Sequence, residues 1–319
     1  LSDVPDIIDT LNEGKVADVE GYYENAKINR VYVDRVHVKK AFAEYTAAYN
    51  ADDPKIKLKI DHTYRVAALC ERIAKAAGMC AYDVELAWLS GMLHDVGRFE
   101  QIKRYNTFSD ADSVDHAKFG ADLLFKDGLI STFLNGMVKC TGYKPGALED
   151  RYSSDGVFLY DRLNKSDMEM LELAIRCHNM YRIPQGLNRR EQAFCNVLRD
   201  ADKVDIFKVN IDTPLEEIYN TTTEELMKSD ITDEVLEAFD EEHCILKAIR
   251  RTPADTVIGH VSLAYELVYD ESVRITVEQG YLAKLMHFHS DNEETNRKMA
   301  MVREKMDSYV KKRIGEKDA

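Results

Sequence analysis

The tetrapeptide Leu93-His94-Asp95-Val96 closes the most apolar stretch of the chain. Val84, Leu86, Ala87, Trp88, Leu89, Met92 and Leu93 cover nearly every face of a helix predicted over Tyr82 to Val96. That helix reads as the central buried one, with Gly97 as its stop. A neighbouring imidazole and carboxylate at its end have no rationale in packing. An unpaired carboxylate is expensive to bury, so Asp95 requires a metal, a proton or a cation beside it. Whatever the fold is, it must bring that partner to the end of this helix.

Four other stretches offer suitable groups. His62 lies one turn before Val66 on the stripe Val66, Leu69, Cys70, Ile73 and Ala77, and Gly78 suits the helix end. His116 opens a helix running to Phe125. A helix over Ser166 to Tyr181 carries Leu171, Ala174, Ile175 and His178 on one face, before Pro184 and Gly186 break it. The next, Arg190 to Asn210, carries Phe194, Leu198, Asp202 and Asp205 at spacings of four, four and three. One histidine on an apolar stripe is usually a satisfied core residue; five such stretches together read as a polynuclear metal site. His62, His94, Asp95 and Asp202 would supply one divalent ion, and His116 and His178 a second, with Asp95 bridging. Two ions roughly 3.5–4 Å apart can clamp a phosphate and share a hydroxide nucleophile. Structural zinc more often takes thiolates. Here Cys70, Cys80, Cys140, Cys177, Cys195 and Cys244 are scattered, with no C-x-x-C, and read as buried reduced thiols.

These residues carry a resemblance. The order His62, His94-Asp95, Asp202 resembles the HD-domain superfamily of metal-dependent phosphohydrolases. So do the strings His62-Thr63-Tyr64-Arg65-Val66, Gly91-Met92-Leu93-His94-Asp95-Val96-Gly97-Arg98, His116-Ala117-Lys118-Phe119-Gly120-Ala121 and Asp200-Ala201-Asp202-Lys203-Val204-Asp205. The resemblance covers about residues 57–210. It implies an α-helical bundle with one or two divalent ions inside, drawn from Mn, Fe, Mg, Ni, Co or Zn. It also implies hydrolysis of phosphomonoesters or phosphodiesters, often of nucleotides, by metal-bound hydroxide. His116 and His178 match the extra histidines of binuclear members, which include cyclic-dinucleotide phosphodiesterases and mixed-valent di-iron oxygenases. The chain departs from the cyclic-di-GMP enzymes, because Asn179-Met180-Tyr181 follows His178 in place of their signature. An oxygenase on the same ligands is one alternative. A regulatory module that binds nucleotide or metal without turnover is another, though no ligand is lost.

The remaining sequence fits an all-α architecture, with six prolines, fifteen glycines and no long alternating pattern. Residues 1–56 read as an N-terminal helical extension, 57–212 as the HD bundle, and 213–319 as C-terminal helices packed on it. In the extension, Ser2-Asp3 caps a stripe of Ile7, Ile8 and Leu11, Asp34 to Tyr49 is helical, and Asn50 to Pro54 is a break. Residues 98–115 read as a polar connection and 141–166 as a surface insertion. Thr213-x-x-Glu216 and Asp291-x-x-Glu294 resemble capping boxes, and 232–313 reads as three or four amphipathic helices. The net charge of −14 disfavours nonspecific nucleic-acid binding, since that affinity comes from neutralising phosphates. It leaves room for a small phosphorylated substrate, such as a nucleotide, in a locally basic pocket. No apolar run reaches membrane-spanning length, so a cytoplasmic protein is expected, with a homodimer through the C-terminal helices left open.

A phosphate needs cations. Arg65 lies three residues after His62, Arg98 three after Asp95, and Lys203 directly after Asp202. Arg98 is the expected fork-shaped phosphate contact, reaching the metals from a loop beyond Gly97. The catalytic set is therefore Asp95, Arg98 and Lys203, and the substrate-binding set Arg65, Arg98, Lys203 and Asp205. Asp205 is expected to bond substrate or orient a ligand, and Asp200 to be solvated or to stand behind the ligands. His287 and His289 read as surface residues, and His37, His243 and His260 carry no functional reading.

Overall fold

A computed structural model describes residues 30–31, 33–138, 158–159, 163, 165–219 and 221–315. The expected cap at Ser2-Asp3 with its stripe, Cys140, and most of the 141–166 insertion lie outside the described residues. The fold is all-α. Its β content among the described residues is one parallel pairing, Arg30–Val31 with Phe158–Leu159.

Among the described residues eight helices precede the C-terminal region, α1 (Arg35–Thr46), α2 (Pro54–Ala76), α3 (Ala81–Leu93), α4 (Val96–Tyr105), α5 (His116–Ala121), α6 (Ile130–Val138), α7 (Lys165–Cys177) and α8 (Arg189–Asp212), and α9 (Leu215–Tyr219) opens it. A π-helical turn, Asp122–Lys126, follows α5. Then come α10 (Thr223–Lys228), α11 (Asp233–Asp240), α12 (Pro253–Val261), α13 (Asp270–Gln279), α14 (Tyr281–Met286) and α15 (Glu293–Ile314). The stretch expected to hold three or four helices thus holds five, because glycine and polar breaks such as Gly280 divide it.

The helix ends follow local chemistry. Asp34 caps α1 through Val36 N and His37 N. Asp53 caps α2 ahead of Pro54, and Gly78 beyond its end has φ +73°. Asn188 and Glu191 form a capping box on α8. The two boxes expected from sequence are not used: Thr213 closes α8, and Asn292, not Asp291, caps α15.

Two close approaches place the site. A Cβ on Gly91 would lie 2.6 Å from Ala67 Cα, so α3 meets α2 at backbone distance. Gly97 is not the helix stop expected from sequence. The chain bends at His94-Asp95, and Gly97 lies in the first turn of α4. A Cβ there would lie 2.5 Å from His116 O and 2.7 Å from Gly120 N, so the glycine admits α5 against α4. The polar connection is consequently shorter than expected and begins after Tyr105.

One core gathers Phe42, Leu86, Leu89, Leu93, Phe99, Phe133, Phe194 and Leu198. A second gathers Phe207, Phe239, Ile258, Leu285, Met299 and Val302. Helix α8 enters both, and Leu267, Val273 and Ile275 from the C-terminal region join the first. Asp200 locks this junction. Fully buried, it accepts from Val268 N, Tyr269 N and Ser272 Oγ, so the sequence expectation of a solvated residue is corrected. No described helix is long and apolar enough to cross a membrane.

Candidate metal centre

His62 from α2, His94 and Asp95 from the bend after α3, His116 from α5, His178 just past α7 and Asp202 from α8 converge inside the bundle. Asp95 stands between two groups. Its Oδ2 lies 3.6 Å from His62 Nε2 and 3.6 Å from His94 Nε2. Asp202 Oδ1 completes that side, 3.2 Å from His62 Nε2 and 3.9 Å from His94 Nε2. On the other side, Asp95 Oδ1 lies 3.5 Å from His116 Nε2 and 3.8 Å from His178 Nε2. All six residues singled out from the sequence therefore meet at one place, with one Asp95 oxygen facing each pair of imidazoles.

Every imidazole turns the same edge inward. His94 Nδ1 donates to Gly91 O at 2.8 Å, and His178 Nδ1 to Ile175 O at 2.7 Å. Both histidines sit just past a helix end, where carbonyls three residues back lack helical partners. This is why His178 belongs outside α7 and not on its last turn, as the sequence suggested. His62 Nδ1 donates to Asp205 Oδ2 at 2.6 Å, and His116 Nδ1 to Asp110 Oδ2 at 2.7 Å. Carbonyl and carboxylate oxygens only accept, so each Nδ1 carries a proton and, in the neutral ring, each Nε2 presents a lone pair. His62, whose Nε2 also lies 3.2 Å from Asp202 Oδ1, is the ring that takes a second proton when no metal is bound. Yet His116 Nε2 and His178 Nε2 are 3.0 Å apart, and His62 Nε2 and His94 Nε2 3.3 Å apart. Such lone pairs repel unless a cation lies between them.

A second observation agrees. Asp95 Oδ1 is buried without a hydrogen-bond partner, its nearest cation the Arg98 Nε at 3.8 Å, which leaves that oxygen's lone pairs open to a metal. Separations from 3.0 to 3.9 Å suit ligands about 2.0–2.2 Å from a shared ion. The donor set of imidazole and carboxylate, without thiolate, fits a divalent metal on each side of Asp95.

A family model described as "HD domain" matches residues 60–247. The chain belongs to the HD-domain superfamily of metal-dependent phosphohydrolases. No curated protein and no solved structure gives a significant match.

Around the HD ligands the cations are distributed differently from expectation. Arg65 forks onto Asp205, with Nε to Oδ1 at 2.6 Å and Nη2 to Oδ2 at 2.9 Å. Arg65 and Asp205 thus stand behind His62 as one unit that aims its ring. Arg98 does not reach in from a loop. It lies in the first turn of α4, and its Nη1 donates to Gln101 Oε1, Phe108 O and Asp110 Oδ1 at 2.6, 2.7 and 2.9 Å. Its Nε rests 3.8 Å from Asp95 Oδ1. Arg98 therefore ties the 106–115 connection and Asp110 to the site. Lys203 is buried beside Asp202.

Three neighbours escaped the sequence reading. Lys59, one turn before His62, donates from Nζ to Asp95 Oδ2 at 2.7 Å. Asp110 holds His116, and Asn179 bonds Asp110 and Asp115. Lys59 had a signal, its helical spacing of three from His62; Asp110 lay in a polar stretch with none.

Titration follows the same geometry. Burial and the Arg98 guanidinium push His116 down to about 4. Burial and His94 hold His178 at about 4, and burial lowers His94 as well. His62 moves up: burial and Lys59 oppose protonation, but the Asp202 and Asp205 carboxylates outweigh them. Burial would raise Asp95, yet Lys59, His94, His116 and Arg98 hold it well below the usual carboxylate range. Burial and Arg199 bring Lys203 down to about 8.

Proposed function

We propose that this HD-domain protein is a phosphohydrolase that binds two divalent ions, bridged by Asp95, and cleaves a phosphoester of a small substrate such as a nucleotide. The observation that carries the reading is the set of four inward Nε2 atoms around a carboxylate with an unpartnered oxygen. His62, His94 and Asp202 would hold one ion, and His116 and His178 the other. When bound, such ions polarise a phosphoryl oxygen and make a coordinated water more acidic.

The chain's own residues do the rest. Asp205 and Asp110 fix the His62 and His116 rings by their Nδ1 protons, while Gly91 O and Ile175 O fix His94 and His178. Lys203, buried directly after Asp202 and lowered to about 8, would supply a proton from Nζ to the leaving oxygen. Residues 57–212 form the catalytic unit in this reading.

The test is phosphate release from a panel of phosphomonoesters and phosphodiesters, with Mn²⁺ or Fe²⁺ restored to protein purified without chelator. Metal-dependent release from one substrate class supports the proposal. Oxygen consumption with Fe²⁺ and no phosphate release would move it to an oxygenase on the same ligands.

A further inference from the structure

We propose that Lys59 is the residue that receives the anionic oxygens of the substrate, released to them when a metal ion takes its place on Asp95. The inference rests on the phosphohydrolase reading and names a recognition residue that no sequence motif marks.

Lys59 and the metal ligands meet at one oxygen. Lys59 Nζ sits 2.7 Å from Asp95 Oδ2, the same oxygen that lies 3.6 Å from both His62 Nε2 and His94 Nε2. Here the ammonium supplies the positive charge a buried carboxylate requires. A divalent ion among His62, His94 and Asp202 needs that oxygen too. Two cations on one oxygen repel, and the ammonium is the one on a flexible four-carbon stem. Among the described residues its only ion pair is to Asp95. Its side chain is 17% exposed against 2% for Asp95, so it can move without crossing the core. The ring of Phe108 lies 5.4 Å from Nζ and lines the adjacent surface.

Two other nearby cations are held by carboxylates that position histidine rings. Arg65 spends both nitrogens of its fork on Asp205, and Arg98 Nη1 has three oxygen acceptors. Releasing either would unseat the partner of a histidine ring. Lys203 is enclosed beside Asp202, whereas Lys59, on the partly exposed side of the site, can turn to an incoming phosphate while the metal satisfies the carboxylate it leaves.

The experiment measures binding, not turnover. Inorganic phosphate and Mn²⁺ are titrated calorimetrically into wild type, Lys59→Gln and Lys59→Arg. Lys59→Gln should weaken phosphate binding to the Mn²⁺-loaded protein about tenfold or more, the loss of one charge-assisted contact. It should leave Mn²⁺ binding intact or tighter, since a competing cation is gone. Lys59→Arg should keep most of the phosphate affinity. Equal phosphate affinity in Lys59→Gln and wild type overturns the role. Loss of Mn²⁺ from Lys59→Gln also overturns it, because Lys59 would then be a structural support for Asp95. If loaded wild type binds no phosphate, the phosphohydrolase reading itself fails, a different outcome from either.

Discussion

His116 Nε2 and His178 Nε2 face each other at 3.0 Å, and neither has a proton to give. The Nδ1 of His116 is held by Asp110 and that of His178 by Ile175 O. Two neutral lone pairs at that separation need a cation between them. Changing His178→Ala should therefore cost one ion per chain, leaving one held by His62, His94 and Asp202, with phosphohydrolase activity down at least a hundredfold. Metal analysis by mass spectrometry checks this. Two ions retained in the variant would mean that the pair is not a ligand pair.

Acid should weaken the metal-free fold. His116 and His178 titrate near 4 in the folded chain, against an ordinary value near 6.5. Between those values the unfolded chain binds their protons and the folded one does not, so stability rises with pH across roughly pH 4 to 6.5. His62, raised, contributes in the opposite sense, losing stability as pH rises through its folded pKa. Two depressed groups, with His94 lowered as well, outweigh one. The urea midpoint of metal-free protein should fall from pH 7 to pH 5, and His116→Gln should flatten that fall. A midpoint independent of pH would contradict the burial argument.

Gly97 is a packing residue that acts on the site. A Cβ there would lie 2.5 Å from His116 O, which is backbone and cannot turn aside. Gly97→Ala should cost about 1–3 kcal/mol by overpacking and displace His116 from Asp95. Equilibrium urea unfolding measures the first effect, and the stoichiometry of Mn²⁺ binding the second. An alanine variant with wild-type stability and two ions would show that α4 and α5 separate freely.

Arg98 tests how far sequence reasoning reached. Its spacing from Asp95 suggested a phosphate contact; in the structure Nη1 bridges Gln101, Phe108 and Asp110 while Nε lies 3.8 Å from Asp95 Oδ1. Arg98→Ala should thus loosen the Asp110 that orients His116, destabilising the protein by about 1.5–3 kcal/mol and weakening the second ion. Arg98→Lys should rescue part of the loss, since all three bonds leave one nitrogen and an ammonium also carries three protons. Calorimetric melting and metal titration separate this from a substrate contact, which would change only substrate affinity.

The legibility of the sequence followed the range of the interactions. His62, His94, Asp95, His116, His178 and Asp202 were visible because polar groups on apolar helices stand out against their neighbours. The break at Asn50 to Pro54 and the end at Gly78 were visible because Pro and Gly act locally. What was hidden depends on partners far along the chain. Asp205 meets His62 across 143 residues, and Arg65 meets Asp205 across 140. Asp200, expected to be solvated or to stand behind the ligands, is enclosed by Val268, Tyr269 and Ser272 from far along the chain. Gly97 looked like a helix stop because the close approach of Gly120 is tertiary. Lys59 drew no reading, although its spacing of three from His62 was there to see, since only the fold turns it to Asp95.

The most direct test of the account is metal stoichiometry in Asp95→Ala. Asp95 presents Oδ2 to one pair of imidazoles and Oδ1 to the other, so its removal should empty both sides together. Wild type purified without chelator and dialysed against Mn²⁺ or Fe²⁺ should hold two ions per chain. Asp95→Ala, folded by circular dichroism, should hold none and release no phosphate. A folded Asp95→Ala protein with its full complement of metal would contradict the bridging assignment.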